Sequence, residues 1–451
     1  MRRWDAHRLA RAAGAQLLRD PGPVAAGPTQ VAIDSRAAAE GVLFVGLPGE
    51  HVDGGSFADA ALQSGAWGVL VASEHAERAL ASGSTGGAVL GARDPLAALQ
   101  RLANAWRHEL GAKVIGVTGS TGKTSTKDLL LSLLAPQRAT VASRANFNTE
   151  IGLPLQILSA PDGTEVLVLE MGMRGAGQIA ELTRIAEPDI GVIVSIGPVH
   201  LELLGTIEAI AAAKAELIAG LAPGATAVLP AGERLLEPHL RTDVRTITFG
   251  PGGDVQLVAE DSAHVEIDSR GERVALDVDF TEAHLRLDLL AAVAAAQAVG
   301  VTAGGRLELA LSPGRGQRRR LPGGGMLIDD AYNANPMSMR AALDALARAG
   351  GGGRRIAVLG DMLELGPTAE RYHREIGAHA NGAADVLVTV GPLARVMGDE
   401  FRGEHHEEPD AGAASRLLAE LVRPGDVVLV KASNGVGLQL VCETLTAATP
   451  A

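Results

Sequence analysis

A single cysteine, Cys442, stands in 451 residues, which excludes an intramolecular disulfide and fits a reducing compartment. Aromatic residues make up 2% of the chain, too few to build the stacking platforms that hold single-stranded nucleic acid. The formal net charge is −13, so the broad basic face of a general nucleic-acid binder is missing as well. No apolar run is long enough to span a membrane. In the best candidate, "LDLLAAVAAAQAVGVTAG", Asp288 and Gln297 interrupt the aliphatic residues. The N-terminal "MRRWDAHRLARAAGAQLL" is basic but lacks the apolar core and small-residue cleavage site of a secretory signal. A cytoplasmic protein is expected, without a nucleic-acid partner or membrane insertion. Lysine is also scarce: Lys113, Lys123, Lys127, Lys214 and Lys431 are the only ones among 40 basic residues. Each is a candidate for chemistry that a guanidinium cannot do, although chance survival suffices for Lys113 and Lys127.

What is present is a globular composition, 47% apolar and 21% charged, with enough chain for two or three domains. The first segment carries short strands, "TQVAIDSR", "GVLFVGLPG" and "WGVLVAS", and closes on a helix, "PLAALQRLANAWRHEL". From Lys113 the pattern changes to long apolar strands alternating with helices, "KVIGVTG", "EVLVLEMG" and "DIGVIVSIG". Such strands predict a mostly parallel sheet covered on both faces. Residues 223–283 are richer in alternation and read as an antiparallel extension, and "SPGRGQRRRLPGGG" reads as a linker or hinge. A second alternating set follows, with strands "GMLIDDAY", "RRIAVLGD", "ADVLVTVG" and "DVVLVKAS", and predicts a dinucleotide-fold-like unit. The fold class expected is therefore α/β in three domains, 1–110, 111–313 and 314–451.

In "KVIGVTGSTGKTST" a strand runs through a glycine-rich turn into the helix "KDLLLSLLA". The backbone amides of Gly119, Ser120, Thr121, Gly122 and Lys123, with the helix N-terminus and the neighbouring Thr124 and Ser125, suit phosphate oxygens. Lys123 supplies a point charge, and the Thr124 hydroxyl suits Mg²⁺. The strict spacing G-x-x-x-x-G-K-S/T wants glycine where this chain has Val117, which argues for a tighter loop variant. The plain alternative is a glycine turn beside a chance lysine.

Open α/β sheets place their chemistry at the carboxyl ends of strands. Glu170 ends "EVLVLE" and His200 follows "GVIVSIGPV", so a carboxylate and an imidazole face the loop and suit divalent metals. A capping role for Glu170 and a structural role for His200 stay open. Lys214 lies in the apolar helix "TIEAIAAAKAELIAGLA" with few charged neighbours besides Glu208 and Glu216. A desolvated amine deprotonates more readily and can capture CO₂ as a carbamate, an anion fit to face a metal. The alternative is a solvated charge on the outer face of that helix.

Several strings taken together resemble the Mur ligase family: "VAIDSR", "LFVGLPGEHVDGGSFADAALQSGA", "GVTGSTGKTSTKD", "NFNTEIGLPL", "LEMGMRGAGQIAELTRIAEPDIGVIVSIGPVHLELLG", "KAEL", "IDDAYNANPMSMRAAL" and "VLGDMLELG" followed by His373. The resemblance runs over nearly the full length. It implies an ATP-dependent ligase of peptidoglycan and cell-wall biosynthesis that makes a peptide bond through an acyl phosphate. "DAYNANP" with "GDMLELG" is similar to the branch that joins D-alanyl-D-alanine to a UDP-N-acetylmuramoyl tripeptide (UDP-MurNAc-tripeptide). The implied domains are a small UDP-sugar-binding unit, a central ATPase-like mostly parallel sheet and a Rossmann-like unit that brings in the dipeptide. By position, Lys123 and Thr124 match residues for ATP and the first of two Mg²⁺ ions, Glu170 and His200 match metal ligands, and Lys214 matches the carbamylated lysine that completes the metal set. Asn146, Asn148 and Thr149 match a strip near the phosphates and acceptor. Arg315, Asp330, Tyr332, Asn333 and Asn335 match the third domain's ATP face, Ser35 and Arg36 the UDP segment, and Asp361 and Glu364 the dipeptide region. A monomer is implied.

The chain departs from the family where Asp288 replaces an asparagine offered to adenine, which turns a donor into an acceptor. "LPAGE", "KASNG" at 431–435 and "DGGSF" depart as well, leaving the roles of Lys431 and Asn434 open. The rival readings are a sister ligase adding a diamino acid, a folate-type ligase, and a nucleotide-dependent switch or phosphotransferase. A tripeptide ending in lysine and one ending in meso-diaminopimelate are equally compatible with these strings.

Overall fold

The structure is a computed structural model that describes residues 3–22, 26–81, 86–144, 146–322, 324–350 and 352–447. Its strands form three sheets in chain order. In the first, the parallel strands Gln30–Ala32, Val42–Val45, Gly68–Ala72 and Ala88–Ala92 lie side by side, and Gln16–Arg19 adds antiparallel to the last. The helix Pro95–Leu110 leaves this sheet with full end signals. Asp94 accepts the Ala97 amide, proline opens the first turn, and Gly111 closes the helix at φ 63°. Its buried Trp106 packs edge-to-face on Trp4.

The second sheet has ten strands around a parallel centre, with Lys113–Thr118 between Ile190–Ile193 and Val166–Glu170. The expected antiparallel extension is only partly correct. Thr226–Pro230 and Arg245–Phe249 continue the parallel sheet, and the antiparallel pairing is confined to Val255–Glu260, His264–Ser269 and Glu272–Val278. The physical reason is burial. Ala227, Val228 and Leu229 are covered on both faces, as in the centre of a parallel sheet, Arg245–Phe249 is already half-covered, and Glu272–Val278 alternates exposed and buried residues.

The third sheet is parallel except at one edge, in the order Gln317–Arg320, Met326–Asp329, Val427–Lys431, Arg355–Gly360, Val386–Val390, Glu404–Glu408. The expected linker is therefore shorter than its glycines suggest, because Gln317–Arg320 pairs antiparallel with Met326–Asp329. Its arginines suit an edge, where charge discourages pairing with another chain, and Arg319 meets Asp329 at 3.0 Å. None of the described helices is long and apolar enough to cross a membrane.

Candidate active site

The strand Lys113–Thr118 delivers the chain into a turn that ends at Gly122, whose φ of 79° makes it a left-handed N-cap for the helix Lys123–Leu134. Of the amides expected to hold phosphate oxygens, two are committed elsewhere. Ser120 donates to the Ser195 carbonyl at 2.9 Å and Thr121 to Ser195 Oγ at 2.9 Å. The turn is thus tied down by Ser195, which leaves the amides of Gly119, Gly122, Lys123 and the first helical turn to face an anion. Sequence reasoning did not single out Ser195. Its signal was the one used for Glu170 and His200, a polar residue just beyond an apolar strand, here Ile190–Ile193.

Lys123 Nζ folds back to the Gly119 carbonyl at 2.8 Å. Burial lowers its pKa, offset in part by Glu170. Glu170, 2% exposed at the end of Val166–Glu170, accepts Thr124 Oγ1 on one oxygen and Asn148 Nδ2 on the other, both at 2.9 Å. Asn146 and Thr149 lie on the same turn with exposed side chains. Lys214 is fully buried in the helix Ile207–Gly220, not on an outer face. Burial first, and the Lys123 charge second, hold its amine well below the ordinary lysine range. No described residue gives it a hydrogen bond or an ion pair. His200 stands before Leu201–Leu204 at φ 54°, with Nδ1 against a carboxylate oxygen of Glu364.

A cleft of about 1010 Å³ opens between the second and third sheets. Its walls carry Ser120 to Ser125, Arg315, Asp330, Asn333, Asn335 and Lys431. Arg315 lies over the Tyr332 ring at 4.1 Å, Asn335 Nδ2 reaches the Ser120 carbonyl at 3.4 Å, and Lys431 Nζ donates to Asp330 at 2.6 Å. Asp288 also lines the cleft, with its carboxyl held well above the ordinary range by burial and Ser125 working in the opposite direction.

Glu170, His200, Lys214 and Glu364 are not among the residues lining this cleft, and neither are Asp361, Ser35 and Arg36. Asp361 is turned inward, 6% exposed, and its Oδ1 accepts the amides of Leu393 at 3.0 Å and Ala394 at 2.7 Å. Ser35 and Arg36 form a short turn of the first sheet's unit, away from the cleft walls. There Arg36 pairs with Asp34 at 2.7 Å and brings its carboxyl down to about 2.

Compared with known proteins, residues 29–107 match the Mur ligase family catalytic domain, 117–297 the Mur ligase middle domain and 314–434 the Mur ligase glutamate ligase domain. The UDP-N-acetylmuramoyl-tripeptide–D-alanyl-D-alanine ligase of Bacillus subtilis (strain 168) is 36% identical over 431 residues, covering 92% of each chain. The chain belongs to the Mur ligase family.

Among solved structures, MurF from Acinetobacter baumannii superposes with a TM-score of 0.86 at 26% identity, covering 98% of this chain and 99% of that one. The MurF ligase from Thermotoga maritima in complex with ADP gives 0.80 at 30% identity, covering 93% and 97%. In this Mur ligase the donors around the loop are hard oxygens, a hydroxyl and a buried carboxylate. Thr124 Oγ1 donates to one Glu170 oxygen at 2.9 Å and so keeps its own lone pairs for a cation; by the chemistry of these hard oxygens, Thr124 and Glu170 fit a Mg²⁺ ion.

Proposed function

We propose that this chain joins D-alanyl-D-alanine to a UDP-N-acetylmuramoyl tripeptide at the expense of ATP, giving the nucleotide pentapeptide of peptidoglycan synthesis. The observation that carries the reading is the cleft itself. It is walled by a phosphate loop on one side and by Arg315, Asp330 and Lys431 of the third unit on the other, in a chain matched over nearly all its length by a ligase of that name. A carboxylate is a poor electrophile. The tripeptide's terminal carboxylate oxygen therefore takes the γ-phosphoryl group, ADP leaves, and the dipeptide amine attacks the acyl carbon. Collapse of the tetrahedral intermediate expels phosphate and leaves the amide.

The residues contribute position and charge. Lys123 exchanges the Gly119 carbonyl for phosphate oxygens, and the amides of Gly122 and Lys123 hold them at the helix N-terminus. Arg315, stacked on Tyr332, presents its guanidinium across the cleft. Thr124 and Glu170 would hold one Mg²⁺, and His200 with a carbamylated Lys214 a second. Bound there, the metals would neutralise the repulsion between phosphate and carboxylate. Burial and the Lys123 charge favour loss of the Lys214 proton; the neutral amine would attack CO₂, form the N–C bond and release one proton, becoming an anion. Residues 1–110 would bind the UDP sugar, 111–313 ATP, and 314–451 the dipeptide and part of ATP. The turn around Ser35 and Arg36 would serve the uridine nucleotide.

The test is product mass after incubation with ATP, Mg²⁺, D-alanyl-D-alanine and the tripeptide carrying either lysine or meso-diaminopimelate. A new amide formed in step with ADP and phosphate is expected. ADP released equally well without the tripeptide, with no amide formed, would overturn the reading.

A further inference from the structure

Among the described residues four that are not glycine have positive φ: Glu187, His200, Arg270 and Glu364. Two of the four, His200 at 54° and Glu364 at 63°, meet each other although 164 residues separate them. Such a backbone costs about 1–2 kcal/mol and persists only where the surroundings over-determine it. Here they do. The Glu202 amide donates to the Glu364 carbonyl at 3.1 Å, and a Cβ on Gly366 would lie 3.1 Å from Glu202 Cα. The turn after His200 and the loop carrying Glu364 are thus seated backbone to backbone, one from the central unit and one from the third.

The side chains carry the consequence. One Glu364 oxygen faces His200 Nδ1, and the other lies 3.4 Å from Arg174 Nε. An ionised carboxylate only accepts, so Nδ1 carries the hydrogen, and in the neutral imidazole that tautomer leaves the Nε2 lone pair free. Histidines that bind metals are commonly oriented in this way by an acceptor on the other ring nitrogen. We propose that Glu364 is a positioning residue for His200. From the third unit it fixes the tautomer that makes Nε2 the metal-binding nitrogen, and so couples cation binding to the seating of the third unit on the central one. The inference rests on the placement of a divalent cation at His200 made above. It adds that a group outside the central unit determines whether His200 can bind it.

The tautomer is read without any metal, from long-range proton–nitrogen correlations of the His200 ring in the intact protein, identified by its loss in His200→Gln. The wild type is expected to show Nδ1–H. Glu364→Ala is expected to lose that preference and to bind Mn²⁺ about 10–100-fold more weakly in electron paramagnetic resonance titrations. Glu364→Gln, whose carbonyl still accepts from Nδ1, is expected to restore the tautomer. An Nε2–H tautomer in the wild type, which needs no variant to detect, overturns the proposal. So does a Glu364→Ala protein with unchanged tautomer and Mn²⁺ affinity. Failure of the amide-forming assay beside an Nδ1–H signal that depends on Glu364 would remove the reaction and leave this coupling standing.

Discussion

Lys431 Nζ bridges Asp330 Oδ2 at 2.6 Å and the Asn333 carbonyl at 2.9 Å, joining the C-terminal ends of the neighbouring parallel strands Met326–Asp329 and Val427–Lys431. The lysine is 3% exposed and the aspartate 19%, so the ammonium is cut off from bulk water while the carboxylate keeps partial access to it through the cleft. Burial lowers the Lys431 pKa while Asp330 raises it. Lys431→Met leaves the Asp330 carboxylate unpaired, which costs less than the loss of about 3–5 kcal/mol at a fully buried pair, because the cleft still reaches it. Urea denaturation should show that loss, together with weaker nucleotide binding because Asp330 and Lys431 line the cleft. A variant as stable as the wild type would mean that Asp330 is solvated after all.

This pair also marks where the sequence is legible. The parallel strands Val166–Glu170 and Val386–Val390 are buried at every position, and continuous apolar runs announce them. Both edges of the third sheet were invisible to that pattern. Gln317–Arg320 looks like linker, and Glu404–Glu408 is a run of charge and histidine, because edges favour such residues. Glu170 and His200 were legible as polar residues just past apolar strands. The inward turn of Asp361, the Ser195 hold on the phosphate loop and the pairing of Lys431 with Asp330 depend on contacts between distant segments. No local spacing encodes those.

Gly122 has two reasons to be glycine. Its φ is 79°, and a Cβ there would collide with Asp288 Oδ1 and lie 2.7 Å from Val194 Cγ1. Gly122→Ala must push the loop or Asp288 aside, and overpacking of this kind costs about 1–3 kcal/mol. A fluorescent ATP analogue should bind more weakly to the variant, and its melting temperature should fall. Wild-type affinity would show that the loop has room to relax.

Asp288 gives a pH signature. It is 4% exposed, and its Oδ2 has no hydrogen-bond partner among the described residues. Burial holds the carboxyl well above its ordinary range. The unfolded chain loses this proton near pH 4, at about 3.9, whereas the folded chain keeps it to higher pH. The folded state therefore binds more protons in that window, and stability falls as pH rises. Asp288→Asn removes the effect with little change of shape. Its melting temperature should match the wild type in acid and exceed it increasingly toward neutrality. The opposite trend would mean that a cation supports an ionised Asp288.

Lys214 is the sharpest case of a residue that costs stability where function needs it. Burial and the Lys123 charge depress its pKa in the fold, whereas in the unfolded chain it titrates near the ordinary value of about 10.4. Between the two values the unfolded state binds more protons, so stability rises with pH through that window, and at lower pH the fold carries the full cost. Lys214→Met fills similar space without a charge. In CO₂-depleted buffer it should melt above the wild type at neutral pH, and the gap should close as the pH approaches 10.4. Ligation should fall by about 10²–10³-fold, since the variant cannot become an anion. Lys214→Arg should lose ligation too, and lose stability, because a guanidinium keeps its charge. With ¹³C-bicarbonate, a carbamate resonance should be seen in the wild type and in neither variant. Full turnover by Lys214→Arg would remove the carbamate from the reaction, while a higher melting temperature for Lys214→Met would still report the buried amine.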